Sequence, residues 1–293
     1  MGNSSYSTYN RSIRSESFGY HSKSRNEIFT QSKEGKAHEQ MRPKGIVYRE
    51  CRDSEAHPNA TPIQLYLDVT GSMGHIPHEM IKDGLPTLMG NLIQRGVEDA
   101  SLMFGAIGDH ECDKSPLQVG QFESGDEELD MWLTRTWLEG GGGGNGGESY
   151  PLAWYFAGNH VATDAWEKRN QKGFVFTIGD EPFLNSLPMS AVKEIMGDSA
   201  SGQSTWDATV LLEQAQKTNH VFHIFLEHGY RKVDSAWKEL MGDHLIVAKD
   251  YKDIPKIISE TILTIQGERK PSENATVYSS NTTDEKDSVD IIL

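Results

Sequence analysis

The sequence predicts an α/β fold with a doubly wound, mostly parallel central sheet of about six strands and helices on both faces. From residue 62 to residue 267, apolar runs of strand length alternate with longer stretches that have apolar residues at helical spacing. This alternation is typical of a parallel sheet that is covered on both sides. Two of the predicted strands end on an acid, Asp68 and Asp180, at the edge where open α/β sheets bind ligands.

The first part of this domain predicts a strand, a helix and two further strands. "PIQLYLDV", residues 62–69, is an almost continuous apolar run and predicts a buried strand. Residues 75–96 have apolar side chains at helical spacing and predict one helix. "ASLMFGAIG", residues 100–108, predicts the second strand, and "PLQVGQF", residues 116–122, predicts a shorter third.

The middle of the domain predicts helices around one strand. Residues 126–139 form a helical pattern that carries two tryptophans, and residues 149–170 predict a second helix after a run of glycines. "GFVFTIGD", residues 173–180, is rich in β-forming residues and predicts a strand. Residues 190–197 and 204–218 predict two more helices.

The last part of the domain repeats the alternation of strands and helices. "HVFHIFLEH", residues 220–228, and "HLIVAKD", residues 244–250, predict strands. Residues 232–242 and 251–267 predict helices. The histidines of the first of these strands, among them His223 and His228, are interpreted as structural.

The segments on either side of this domain differ from it in composition. Residues 1–44 have few aliphatic side chains, with eight Lys and Arg against four acids, and predict a flexible basic segment. Residues 45–61 predict an extension or linker to the domain of residues 62–267. Residues 268–293 are polar and predict a disordered tail.

Composition restricts the functional class. The formal net charge is −15, which argues against nucleic-acid binding, since such domains usually carry an excess of Lys and Arg. Cys51 and Cys112 lie outside any CxxC motif, so neither a disulfide framework nor a structural zinc site is expected. No apolar run has the length of a membrane span, and the polar N-terminus has no apolar leader, so we expect a cytoplasmic protein without a membrane span.

The acids at the strand ends indicate a metal site. Asp68 is followed by Thr70 and Ser72 across Gly71, and Asp180 ends a later strand. Carboxylate and hydroxyl oxygens are the ligands that Mg²⁺ prefers. The same residues also fit a plain turn with a helix N-cap, an alternative that the second acidic strand end makes less favourable.

The motif carries a family resemblance. "LYLDVTGSMG", residues 65–74, resembles the DxSxS-type motif of von Willebrand factor type A domains, with Thr70 and Ser72 in the hydroxyl positions. "GGGGGNGGESYPLAW", residues 140–154, is similar to that family's glycine-flanked loop, and "VFTIGDEP" to its later strand, over residues 62–267 in all. The resemblance implies a Rossmann-like fold with a metal-ion-dependent adhesion site that binds Mg²⁺, or alternatively Mn²⁺ or Ca²⁺.

The loop of this chain departs from the family pattern at one ligand. The family's loop threonine is absent, and the resemblance implies Asn145 by position, Glu148 as a second candidate and Ser149 as a weaker one. "GAIGDHECD" is similar to an acidic strand end in part of the family, which implies Asp109 and His110 at the rim of the site.

The resemblance implies a function in binding rather than catalysis. In this family the cation accepts an acidic residue of a protein partner, and some members act as adaptors beside AAA-type ATPases. Two alternatives stay open. One is a structural or assembly protein with a degenerate metal site. The other is a metal-dependent phosphatase or hydrolase, which the threonine at position 70 disfavours, because that chemistry usually needs a second acid there.

Overall fold

The computed structural model describes residues 4–97, 99–142, 144–197, 204–267 and 275–277. Its strands are β1 (Arg49–Cys51), β2 (Thr61–Asp68), β3 (Ala100–Ile107), β4 (Leu117–Val119), β5 (Val161–Thr163), β6 (Gly173–Gly179), β7 (Ser186–Pro188), β8 (Thr205–Asp207), β9 (Asn219–Leu226), β10 (Leu245–Ala248) and β11 (Ala275–Val277). Its α-helices are α1 (Thr8–Phe18), α2 (Arg25–Ile28), α3 (Thr30–Glu34), α4 (Ile76–Glu79), α5 (Leu85–Gln94), α6 (Asp126–Thr134), α7 (Tyr150–Asn159), α8 (Asp164–Arg169), α9 (Met189–Met196), α10 (Ala208–Gln216), α11 (Ser235–Met241) and α12 (Ile254–Ile265).

The central sheet confirms the predicted fold class. Its strands lie in the order β11-β10-β9-β6-β2-β3-β4, and the five from β10 to β3 are parallel to their neighbours. The short strands β4 and β11 close the two edges in antiparallel pairing. The fold is therefore an α/β, Rossmann-like arrangement with a mostly parallel sheet.

Helices cover both faces of the sheet, and each face has its own hydrophobic core. One core joins the sheet to α5, α6 and α12, with buried side chains such as Leu88, Leu133 and Ile258. The other joins it to α7, α9, α10 and α11, with Trp154 and Trp237 fully buried. Burial on both faces explains why β2, β3 and β6 are continuous apolar runs rather than alternating ones.

The order of the strands reverses at β2. The chain passes from β2 to β3 on one side and later to β6 on the other, and β6 then leads to β9 and β10. Such a reversal opens a crevice beyond the carboxyl ends of the two central strands. The strand order therefore places the ends of β2 and β6 next to each other at the usual binding position of this fold.

The N-terminal segment is folded, and the expectation of a flexible segment does not describe it. Its helices α1, α2 and α3 pack on the domain, where Phe29 and Met41 are completely buried. Arg11 Nε lies 2.7 Å from Asp130 Oδ1 in an ion pair that is almost fully buried on both sides. These contacts join residues that are far apart in sequence, so the composition of the segment alone did not reveal them.

Two predicted helices are interrupted. The helix expected over residues 149–170 ends at Asn159, and β5 then pairs with β1 before Thr163 caps α8 by accepting a hydrogen bond from Trp166 N. The helix expected over residues 75–96 is divided by a π-helical turn, Met80–Gly84, ahead of α5. The pattern of apolar residues does not reveal the pairing of β5 with β1 or the wider turn of a π-helix. Both differences follow from this.

Two smaller differences concern the later part of the chain. Residues 205–207, expected as helix, form β8, and α10 begins only after Asp207, whose carboxylate accepts from Thr209 N. Residues 275–277 form β11, while the rest of the predicted C-terminal tail lies outside the described residues. Among the helices that the structure describes, none has the length and apolar character needed to cross a bilayer.

Candidate metal centre

The two acids predicted at strand ends lie on adjacent strands. Asp68 is the last residue of β2, and Asp180 follows β6 directly. Both strands run parallel with Leu67 opposite Ile178, so the two carboxylates reach the same edge of the sheet. Asp68 is completely buried and Asp180 is 1% exposed. The strand order thus brings together the two acids that the sequence pattern singled out.

Four oxygen atoms form a continuous line between these acids, which we call the oxygen row. Asp68 Oδ1 accepts a hydrogen bond from Thr70 Oγ1 at 2.6 Å. Thr70 Oγ1 lies 3.3 Å from Ser72 Oγ, and Ser72 Oγ donates to Asp180 Oδ1 at 2.7 Å. Thr70 N also donates to Asp68 Oδ1, at 2.8 Å, which fixes the turn after β2. Asp68, Thr70, Ser72 and Asp180 are therefore assembled as the sequence predicts.

Tyr150 holds the other oxygen of Asp68. Its hydroxyl donates to Asp68 Oδ2 at 3.0 Å, and its ring is completely buried against His223 and Trp237. Gly179 makes this approach possible, because a Cβ there would lie 1.8 Å from the Tyr150 hydroxyl oxygen and 3.0 Å from Asp68 Cβ. No spacing in the sequence points to Tyr150, although the glycine inside a strand of β-formers signals a close approach at this position.

Burial changes the protonation of Asp68. Removal from water raises its pKa to about 7, and the negative charge of Asp180 contributes in the same direction. The hydrogen bonds from Thr70 and Tyr150 oppose this rise, because they stabilise the carboxylate. A positive charge placed beside Asp68 would therefore lower its pKa and favour the carboxylate.

The glycine loop, residues 140–147 with Gly143 outside the described residues, lies against the turn after β2. Gly140 N donates to Val69 O at 3.1 Å, and Gly71 N donates to Gly141 O at 2.7 Å. A Cβ on Gly71 would lie 3.1 Å from Gly141 O, so glycine allows the two backbones to approach. The loop thus forms part of the wall of the site.

The loop brings Glu148 to the site and turns Asn145 away from it. Glu148 is 5% exposed, and its Oε2 has no hydrogen-bond partner among the described residues. A Cβ on Gly142 would touch both Thr70 Cβ at 3.5 Å and Glu148 Oε1 at 3.6 Å, which places Glu148 across that glycine from Thr70. Asn145 is exposed, and its amide donates to Glu111 Oε2 at 2.9 Å.

Glu148 belongs to a group of buried acids. Burial raises its pKa to about 9, with further contributions from the charges of Asp68 and Asp109. Asp109 is completely buried, and its Oδ2 also has no partner among the described residues. The weaker candidate Ser149 is buried and faces away from the oxygen row, since its hydroxyl accepts from His110 N at 2.8 Å.

Basic side chains lie on the other side of Asp180. His228 Nε2 is 2.8 Å from Asp180 Oδ2, and Arg231 Nε is 3.7 Å from the same oxygen. Arg231 also forms an ion pair with Glu181. The interpretation of His228 as structural is wrong, because the chain after β9 places its ring beside Asp180 at the site.

The charged residues in the described ranges do not by themselves form a metal cage. Across those ranges, no three side chains of the types His, Cys, Asp and Glu converge in a way that could hold a metal ion. The oxygen row has two carboxylates, and its other two oxygens are hydroxyls. Any cation bound here would therefore depend on Thr70 and Ser72 as well as on the acids.

Comparison with known proteins finds similarity only at the level of solved structures. No family model matches this chain, and no curated protein matches it. The pilus adhesin SpaC from Lactobacillus rhamnosus GG, in its open conformation, aligns with 73% of this chain and 31% of its own, at 11% identity and a TM-score of 0.47. Proximal thread matrix protein 1 from the mussel byssus aligns over 73% of this chain and 49% of its own, at 9% identity and a TM-score of 0.44. The chain thus spans from about a third to half of the length of these proteins.

Proposed function

We propose that this chain is a von Willebrand factor type A-like module that binds a protein partner through a divalent cation at the oxygen row. The single observation that carries the proposal is the row itself, with Asp68, Thr70, Ser72 and Asp180 in unbroken contact at the switch point of the sheet. Binding rather than turnover is favoured, because position 70 carries Thr where aspartyl-phosphate chemistry usually needs an acid.

The oxygen donors of the row support Mg²⁺. Octahedral Mg²⁺ holds its oxygens at about 2.1 Å, which places neighbouring ligands about 3.0 Å apart. The consecutive oxygen separations in the row, 2.6, 3.3 and 2.7 Å, are hydrogen-bond distances, so these oxygens are already close enough to share one cation. Mn²⁺ and Ca²⁺ also take oxygen ligands, and Ca²⁺ prefers a wider and more flexible set. The set of two carboxylates and two hydroxyls therefore fits a hard cation such as Mg²⁺.

The charge around the row also supports a cation. Asp68, Glu148 and Asp109 are all buried, and the last two each have a carboxylate oxygen without a described partner. Buried carboxylates without a counter-charge are costly, and a divalent cation offsets that cost directly. We propose Glu148 in place of the missing threonine, as a charge beside the cation and not as a third direct carboxylate ligand, since Asn145 pairs with Glu111 at the surface.

Each residue then has a separate part in binding. Asp68 and Asp180 supply charge, Thr70 and Ser72 supply neutral oxygens, and Tyr150 orients Asp68 through its hydroxyl. When bound, the cation supplies a positive centre that attracts an acidic side chain of the partner. We propose a protein as the partner, and the AAA-type ATPase suggested by the family resemblance is one candidate.

The proposal is tested by cation binding to the full chain. Isothermal titration with Mg²⁺ should show one site in the wild type, a loss of at least tenfold in affinity for Asp180→Asn, and a smaller loss for Ser72→Ala. Glu213→Gln removes an exposed acid with no described partner and serves as the charge-matched control. Equal affinities for all four proteins, or no heat at millimolar Mg²⁺ in the wild type, would reject the oxygen row as a cation site.

A second candidate function is an assembly domain that needs no cation. It is favoured by Arg231, whose guanidinium already places positive charge near Asp180, and by the contact of His228 Nε2 with the same carboxylate. In that case the thermal midpoint should not respond to Mg²⁺ or to a chelator, and His228→Ala should destabilise the fold more than Ser72→Ala. For a cation-binding module, by contrast, mass action predicts that the thermal midpoint rises with cation concentration.

A further inference from the structure

A groove of about 500 Å³ lies beside the loop that flanks the candidate metal centre. Asp113 and His110 line it, and both also contact the loop that carries Glu148. Asp113 Oδ1 accepts a hydrogen bond from Gly142 N at 3.0 Å, and His110 Nδ1 lies 2.7 Å from Ser149 Oγ. A ligand in the groove would therefore lie next to the residues that shape the centre.

The rim of the groove is basic on a protein that is strongly acidic. Lys36, Arg42 and Lys44 of the N-terminal segment and Lys114 of the loop after β3 all line it. Among the described residues, no carboxylate lies within ion-pair distance of Arg42, Lys44 or Lys114, and Lys36 has only a loose contact of 3.8 Å with Glu34. These cations are exposed and available to an anionic ligand.

The acids of the groove do not cancel this charge. Asp113 and Glu194 are the two carboxylates that line it. Asp113 is already engaged, because its two oxygens accept hydrogen bonds from Gly142 N and Asp109 N. A net positive rim remains on a chain whose formal charge is −15. This local reversal of sign selects for an acidic ligand.

The lining of the groove also includes apolar side chains. Pro116, Leu117 and Trp137 line it together with Ala191 and Ile195 of α9. Trp137 and Leu117 are packed in place, while Ala191 and Ile195 are partly exposed at the groove. An apolar wall under a basic rim suits a peptide that carries acids on both sides of an apolar side chain.

We propose that this groove binds an acidic peptide segment of the protein partner, with one apolar side chain against Ala191 and Ile195. The identity of the occupant as a protein rests on the proposed function, whereas the binding of an acidic peptide can be measured without any cation. A single-stranded nucleic acid is the less favoured anion, because the rim offers few cations and the rest of the chain would repel a long polyanion.

The test uses the full chain and a fluorescein-labelled nonapeptide, Glu-Asp-Glu-Asp-Leu-Asp-Glu-Asp-Glu, in fluorescence anisotropy at about 50 mM salt with EDTA. We expect Lys44→Glu combined with Lys114→Glu to weaken binding more than tenfold. Lys217→Glu reverses an exposed charge outside the groove and should change affinity less than twofold. A second peptide with Ser in place of Leu should bind more weakly to the wild type, since it lacks the apolar contact.

Three outcomes would overturn the proposal. The first is that the peptide does not bind the wild type. The second is that it binds the groove variant and the control variant equally well. The third is that a ten-nucleotide oligothymidylate displaces it at equal concentration. Because EDTA is present, failure of this experiment leaves Mg²⁺ binding at the oxygen row untouched. Conversely, peptide binding in EDTA together with no Mg²⁺ binding would reject the proposed cation-dependent function and retain the groove.

Discussion

The hydroxyl of Tyr150 donates a 3.0 Å hydrogen bond to Asp68 Oδ2 through the space left open by Gly179. It links the start of α7, just after the glycine loop, to the end of β2. Because Thr70 occupies the other oxygen of Asp68, both oxygens of this buried carboxylate are engaged. The orientation of Asp68 is therefore set by the fold before any ligand binds.

Tyr150→Phe should weaken cation binding without unfolding the protein. It removes the hydrogen bond to Asp68 and keeps the ring that packs on His223 and Trp237. The pKa of Asp68 should rise further, because that hydrogen bond stabilises the carboxylate. We expect a three- to tenfold loss of Mg²⁺ affinity by calorimetry and a loss of about 1 kcal/mol of unfolding free energy. Unchanged affinity would show that Tyr150 has only a packing role.

Gly179→Ala should lower the free energy of unfolding much more than Gly144→Ala does. The added methyl would overlap the Tyr150 hydroxyl and crowd Asp68 Cβ, so Tyr150 must move. We expect a loss of at least about 2 kcal/mol in urea unfolding. Gly144→Ala is the control, because a Cβ there meets nothing within 4 Å. Similar losses in the two variants would contradict the account of Gly179.

Stability of the cation-free protein should fall from pH 7 to pH 9. Glu148 has a pKa of about 9 in the folded chain, above the ordinary value of 4.5, so in this window the folded state holds a proton that the unfolded state has lost. The unfolding free energy then decreases with pH by up to about 1.4 kcal/mol per unit for this group, and Asp68, with a pKa of about 7, adds to the decrease near pH 7. His223, whose pKa burial lowers well below 6.5, is neutral throughout and does not contribute.

Urea unfolding in EDTA at pH 7, 8 and 9 measures this slope. Glu148→Gln should reduce it, because the group with the largest contribution in this window can no longer ionise. Saturating Mg²⁺ should also reduce it, since a bound cation stabilises the charged carboxylate. A wild-type stability that stays level or rises between pH 7 and pH 9 would show that Glu148 is not held protonated.

Glu148 and Asn145 should differ in their effect on cation affinity. Glu148 lies across Gly142 from Thr70, whereas the Asn145 amide pairs with Glu111 at the surface. We expect Glu148→Gln to weaken Mg²⁺ binding at least fivefold and Asn145→Ala to change it less than twofold. The reverse order of effects would favour Asn145 as the loop ligand and a rearrangement of the loop on binding.

Much of this site could be predicted from residues near one another in sequence. Asp68, Thr70 and Ser72 lie in one turn, and Asp180 ends a strand whose burial pattern is clear. The parallel sheet then determines that the two strand ends meet. The fold class followed from the same alternation of apolar runs and helical stretches.

The missed features depend on contacts between distant residues. Tyr150 reaches Asp68 from α7, and His228 reaches Asp180 from the loop after β9. The spacing of residues in the sequence does not predict either contact. The folding of the N-terminal segment depends on Arg11 with Asp130 and on the burial of Phe29, although its composition resembles that of a disordered chain. Position along the loop favours Asn145, whereas the backbone turns of the loop place its amide against Glu111 and bring Glu148 to the site.

The central claim is that a divalent cation binds at the oxygen row, and anomalous X-ray scattering from crystals grown with Mn²⁺ tests it most directly. The account predicts one strong anomalous peak in contact with side-chain oxygens of Ser72 and Asp180, and its absence in crystals of Asp180→Asn. A well-ordered wild-type site with no anomalous peak at saturating Mn²⁺, or a peak elsewhere on the chain, would contradict the account.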